Sequence, residues 1–199
     1  MALVSGIAAP NLPVAPNVYE RRYQDQFSNA LRLFFTSLTN EINSPLPHGS
    51  YFDTTTQTNP VADAVNLFTY DSVVSEFQIA RGKPTSKIYV NDTGLYNFQF
   101  SAQLDKAGGS ATAVYIWPRI NGVNVPDSAT KIVIDGPNSE IVPAWNFHLV
   151  MEAGDYFELA WQSSDVDVII AAMAATGNIP GIPSIILTVN WVSNYEQNA

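Results

Sequence analysis

Between Leu95 and Leu104 the chain alternates without a break. Tyr96, Phe98, Phe100, Ala102 and Leu104 are apolar, and Asn97, Gln99, Ser101 and Gln103 between them are polar. Successive side chains of a strand point to opposite faces, so this period of two predicts an antiparallel strand with one buried face. The Asn91-Asp92-Thr93-Gly94 run ahead of it has turn chemistry, with Gly94 free to take a positive φ. Similar segments recur at a spacing of about ten residues. Strands are predicted over 73–79, 87–90, 113–120, 131–134, 141–150, 156–162, 166–174 and 184–192, with a short one at 51–52. In 141–150, Ile141, Pro143, Trp145, Phe147 and Leu149 share a face; in 156–162, Phe157, Leu159 and Trp161 point inward. Asn121-Gly122 marks a hairpin, because both residues tolerate positive φ. Pro118 lacks a ladder donor, which predicts that its strand is an edge or carries a bulge. Residues 54–59 read as a polar turn and 60–67 as a helical turn or loop. This strand rhythm argues for an all-β sandwich or barrel.

Residues 17–43 follow another period. Tyr19, Tyr23, Phe27, Leu31, Phe34, Leu38 and Ile42 recur every three or four positions, which predicts one amphipathic helix. Asn17 is the expected N-cap, with Glu20 at the capping-box position, and Ser44-Pro45-Leu46-Pro47 ends the helix. So aromatic a stripe is unstable alone in water. It must pack on its own domain, on a copy of itself or on another protein. Ahead of it, Pro10, Pro13 and Pro16 predict an extended arm, either frayed or ordering on a partner. The expected organisation is an arm and helix over 1–47 and a β domain over 48–199.

Composition narrows the function. Only 14% of the 199 residues are charged, and the net charge is −9 with nine Lys and Arg in all. A chain this poor in charge buries extra surface between subunits. Too few cations are present to replace counterions, so nucleic acid and anionic membrane surfaces are disfavoured as partners. No cysteine is present, which excludes disulfides and thiolate metal sites. No apolar run approaches the roughly 18 residues needed to span a bilayer, and the N-terminus lacks the basic region of a signal peptide.

Candidate chemistry is sparse. His48 and His148 would form a metal site only with carboxylates brought in by folding; a solvated histidine is the simpler reading. A Ser/His/Asp triad is not excluded by composition, but no Gly-x-Ser-x-Gly elbow is present. Asp165 and Asp167, with Asp53, Asp92, Asp105 and Asp155 near turns, could hold Ca²⁺ in oxygen-rich loops, although no EF-hand pattern occurs. Solvated turn carboxylates account for them more simply. Asn91-Asp92-Thr93 fits a glycosylation sequon and also a plain turn. No catalytic, cofactor or metal residue is assigned, and the chain is read as a non-enzyme.

The runs NDTGLYNFQFSAQL, YIWPRINGV, MEAGDYFELAW and IPSIILTVNWV, in that order, resemble the central and final strands of the C1q/TNF-like jelly roll. The resemblance covers roughly residues 49–193. Each motif is weak alone, and their order and spacing carry the likeness. It implies a jelly-roll sandwich that assembles as a tight homotrimer. The segment PNVYERRYQDQFSNALRLFFTSLTNEI looks like the lead segment of virion proteins in tailed phages of cyanobacteria and marine bacteria. That second resemblance implies a structural protein of the virion. The expected role is capsid decoration or cement, attached to a major capsid protein or another virion protein. The alternative is a short fibre or knob tip binding a host-surface receptor or glycan.

Surplus apolar surface points to where copies would meet. The 113–120 and 184–192 strands are apolar on both faces, and the small-residue run 168–175 would let sheets approach closely. A three-fold interface is therefore expected to include Tyr115, Trp117, Ile170, Met173, Ile186 and Trp191. Anchoring is expected of Tyr19, Tyr23, Phe27, Leu31, Phe34 and Leu38. Cover of the same sheet surface by the chain's own helix is the alternative.

Overall fold

The computed structural model describes residues 9–195. The first eight residues of the predicted arm and the side chain of Ile42 lie outside the described residues. The chain divides into two compact units, Met1–Pro45 and Leu46–Ala199.

In the first unit, residues 9–20 form no helix or strand, and α1 spans Arg21–Ile42. The Glu20 carbonyl accepts the first helical hydrogen bond, from the Gln24 N–H at 3.2 Å. Glu20 is therefore the cap, not Asn17, which sits in a bend. Val18 and Tyr19 are exposed, and a β-branched and an aromatic residue lose rotamer freedom in an unpacked first turn. The predicted stripe loses Tyr19, which precedes the helix and is 79% exposed. Tyr23, Phe27, Leu31, Phe34 and Leu38 are half-buried along one face, with the Tyr23 and Phe27 rings stacked at 6.1 Å. No described side chain of α1 is fully buried.

The second unit is built of strands. They are β1 (His48–Asp53), β2 (Gln57–Thr58), β3 (Asn66–Leu67), β4 (Ser72–Phe77), β5 (Ile79–Arg81) and β6 (Ile88–Val90). Next come β7 (Gly94–Ala102), β8 (Leu104–Lys106), β9 (Thr112–Ile120), β10 (Val123–Asn124) and β11 (Thr130–Ile134). The last are β12 (Ser139–Ile141), β13 (Ala144–Met151), β14 (Tyr156–Ser163), β15 (Val168–Ile170) and β16 (Ile185–Ser193). A five-stranded sheet runs β13-β7-β16-β1-β4. A seven-stranded sheet runs β10-β9-β14-β6-β5, with β11 on β9 and β3 on β14. A small sheet runs β12-β8-β15-β2. Every pairing between strands is antiparallel.

The chain passes repeatedly between the two large sheets: β4 to β5, β6 to β7, and β13 to β14 to β16. That winding makes the unit a jelly-roll sandwich. The alternation that predicts β7 is realised in full, with Tyr96, Phe98, Phe100 and Ala102 all buried. Phe98 stacks on Phe157 of β14 at 4.1 Å, and Phe68 lies against both Phe100 and Trp161.

Several predicted strands are broken where the chain changes sheet. The 95–104 strand stops at Ala102. The Gln103 N–H turns to the Ser184 carbonyl, and Leu104 begins β8 in the small sheet. The 141–150 strand is two: Ile141 pairs with Leu104 in the small sheet, and Trp145 pairs with Phe100 in the five-stranded one. The 73–79 strand breaks at Gln78, whose φ is 56°. The 166–174 strand shrinks to β15, followed by a single bridge from Met173 to Ile182. Pro118 is the clearest correction, because β9 is internal, with β14 on one side and β10 and β11 on the other. The Pro118 carbonyl accepts from Val125, so its missing N–H faces that same side, where pairing passes from β10 to β11. The register against β14 runs on unshifted. The hairpin is as expected, with φ of 52° at Asn121 and 77° at Gly122.

Candidate functional site

The five-stranded sheet presents one face to the core and the other outward. Cross-strand partners share a face, so the register lays the outward residues in transverse rows. One row runs Ala144, Ser101, Ile186, Phe52, Ser72 from β13 to β4. The next runs Asn146, Gln99, Thr188, Ser50, Ser75, and the third runs His148, Asn97, Asn190, His48, Phe77. Val150 and Leu95 follow at the far end. None of these positions holds Asp, Glu, Lys or Arg, although the chain has 27 such residues. The middle of the face is a belt of neutral polar groups, in which Asn146 Nδ2 donates to Asn97 Oδ1 at 2.9 Å.

At one end the face opens into a groove of about 310 Å³, where Phe52, Val74, Met173, Ile182, Pro183 and Ile186 supply the apolar walls. Val74 is 67% exposed beside the register shift that interrupts the β1–β4 pairing. The Met173–Ile182 bridge folds the Pro/Gly loop back so that Met173 reaches the same groove as Ile186.

The predicted interface residues separate in the structure. Met173 and Ile186 come together in the groove, 41% and 42% exposed. Tyr115, 39% exposed, lies instead on the outer face of the seven-stranded sheet, opposite Lys131 and Gln162. Trp117 is only 8% exposed; its Nε1–H donates to Asn124 Oδ1 at 2.9 Å, so its own chain covers it. Ile170 is fully buried in the core, paired with Leu104 and Gln57. Neither Trp117 nor Ile170 is available to a second molecule. Trp191 is half-buried on the core side of β16, over Gly94. On the outer side of the other sheet Arg119 pairs with Glu158, which is buried, and Lys131 lies exposed at the β11 side.

Sequence reasoning missed the uncharged face as a unit. The signal was present in the polar positions of β7, all of which are uncharged. Which other strands lie beside β7 could not be read from it.

Of the candidate metal groups, His48 and His148 stand on one face but three interstrand spacings apart, roughly 14 Å, too far to share an ion. Asp165 is engaged elsewhere. Its Oδ2 accepts from the fully buried Lys106 ammonium at 2.5 Å, and its Oδ1 accepts from the Asp167 N–H at 3.0 Å. The Lys106 hydrogen bond and then the Asp167 N–H hold the Asp165 carboxyl below the usual carboxylate range. Among the described residues no group of three or more His, Asp and Glu is placed to hold a metal ion. No described helix is long and apolar enough to cross a membrane.

No family profile matches the chain, and no curated protein matches it in sequence. Among solved structures it is similar to the globular domain of zebrafish complement 1qA protein, at 11% identity and a TM-score of 0.45. That alignment covers 75% of this chain and 99% of the other. It is a likeness of shape, and the jelly-roll assignment rests on the strand order given above.

Proposed function

We propose that this chain is a virion structural protein that works as a homotrimer of jelly rolls. Three copies join through the uncharged face of the five-stranded sheet and its apolar groove. The arm and α1 fix the trimer to a major capsid protein or another virion site, and the role is capsid decoration or cement. The observation that carries the reading is the absence of formal charge from an entire outward sheet face. Copies of a chain with net charge −9 repel one another at long range. A face on which neither copy brings charge lets them meet without that repulsion, and interface centres are depleted of charged residues. The half-buried stripe of α1, with no fully buried side chain, supports the anchoring role in the same way. The resemblance of the lead segment supports the virion setting. Three anchors acting together would hold the particle by effective concentration even if each is weak.

Sedimentation of the full chain tests the association, and a stable single subunit overturns it. Location and copy number on an intact particle test the role. Copies tied to capsid lattice positions support decoration, and copies tied to a tail or vertex support the fibre reading instead.

A further inference from the structure

The same face carries two ionisable groups in its paired rows, and they stand in one row: His148 on β13 and His48 on β1, with Asn97 and Asn190 between them. We propose that self-association through this face is switched by pH, with His48 and His148 as the groups that take up the proton. The proposal rests on the association reading above. Histidine is the side chain whose charge ordinarily changes between about pH 5 and 8.

The surroundings of each ring show why the charge would matter between copies and not within one. His48 Nδ1–H donates to the Leu46 carbonyl at 2.8 Å, and Nε2 accepts from the Ser75 hydroxyl at 3.0 Å. The carbonyl can only accept, which fixes this neutral tautomer. A proton added at Nε2 is met by rotation of the Ser75 hydroxyl, so both contacts survive. The Phe77 ring lies against the imidazole, and Asn190 is its cross-strand neighbour. The charged residue of β4, Glu76, pairs with Gly49 on the opposite side of the strand and accepts the Arg81 backbone N–H. His148 is exposed on the edge strand, opposite Asn97 and flanked by Asn146 and Val150. The carboxylates at that end, Asp92 and Glu152, lie beyond the ends of β7 and β13. Among the described residues, no carboxylate in the rows of this face balances a protonated ring. A trimer would bring six cations into a dehydrated neutral belt, where charged groups without partners are strongly disfavoured.

Bulk charge works in the opposite direction. Each proton taken up by histidine makes the chain less negative than −9 and eases long-range repulsion. Dissociation on acidification would therefore report on the face itself.

The test is sedimentation velocity of the full chain at about pH 8 and about pH 5, at one ionic strength, with circular dichroism to confirm the fold. The comparison is with His48→Gln/His148→Gln and with His148→Gln alone, an exposed position whose replacement leaves the fold unstrained. The expected result is a wild-type trimer at the higher pH whose dissociation constant rises at least tenfold at the lower. The double variant stays associated at both, and the single variant shows a reduced shift. Equal wild-type association at both values overturns the switch and leaves the interface standing. A double variant that dissociates on acidification as the wild type does also overturns it. A single subunit at the higher pH, in wild type and variants alike, overturns the association reading and the switch with it.

Discussion

At Gly94 the reason for glycine is contact, not turn geometry. A Cβ built there would lie 2.4 Å from Trp191 Nε1 and 2.8 Å from the Ser193 carbonyl oxygen. The indole is a side chain and can swing aside, but the backbone oxygen belongs to β16 and cannot. Gly94→Ala is expected to cost about 2 kcal/mol through overpacking, read as a lower denaturant midpoint. Lys106 and Asp165 set a different kind of constraint. Lys106 is fully buried, and its ammonium also donates to the Ser110 carbonyl. Asp165→Ala would leave a buried cation without its counter-charge and is expected to cost about 3 kcal/mol at neutral pH. The pH dependence has a definite sign. A carboxyl held below its ordinary value contributes stability above the unfolded pKa, and that contribution is lost as pH falls through the folded value. Denaturant titrations between about pH 5 and pH 2 should show wild type losing stability that Asp165→Asn does not have to lose.

Elements of this chain are shaped by what lies beside them. In α1 the aromatic stripe is real, but it begins at Tyr23, because nothing in the unit holds Val18 and Tyr19 in a first turn. Replacing Phe27 and Leu31 with Asp removes the middle of that stripe. Cooperative thermal unfolding of the β unit is expected to stay within about 0.5 kcal/mol of wild type, whereas the anchoring proposed above, measured by co-sedimentation with the proposed virion partner, is expected to be lost. Strand β9 shows that proline is compatible with an internal strand when its absent donor faces a gap between two partners. Gln78 holds a positive φ between β4 and β5, where the chain leaves one large sheet for the other.

On the scale of the whole molecule, a core of stacked aromatics joins the sheets and a neutral face looks away from it. Phe98→Ala removes the ring stacked on Phe157 and is expected to cost about 3–5 kcal/mol, enough to threaten folding of a domain of ordinary stability. Ile186→Lys acts on the other side of the same sheet. Its side chain is exposed in the single subunit, so unfolding should barely change. The charge it brings to the groove should weaken association by about 2 kcal/mol, some thirtyfold in Kd, measured by sedimentation equilibrium. An unchanged constant would remove the groove from the interface.

The alternation in 95–104 and the rhythm of the later strands determined by themselves that this unit is an all-β sandwich or barrel with Tyr96, Phe98 and Phe100 inside. Side-chain direction along a strand is local, so the sequence can carry it. The Asn121-Gly122 turn and the helical stripe were legible for the same reason. Sheet membership was not, because it depends on partners distant in the chain. Gln103, Gln78 and Val142-Pro143 look like ordinary strand positions until the two sheets pull the chain apart there. Of the residues expected at an interface, Met173 and Ile186 are exposed in the groove, whereas Asn124 covers Trp117 and the core takes Ile170. The neutral face and its two aligned histidines exist only in the lateral order β13-β7-β16-β1, which sets side by side residues as far apart in the chain as His48 and Asn190. No local period encodes that order; the packing of one sheet on the other decides it.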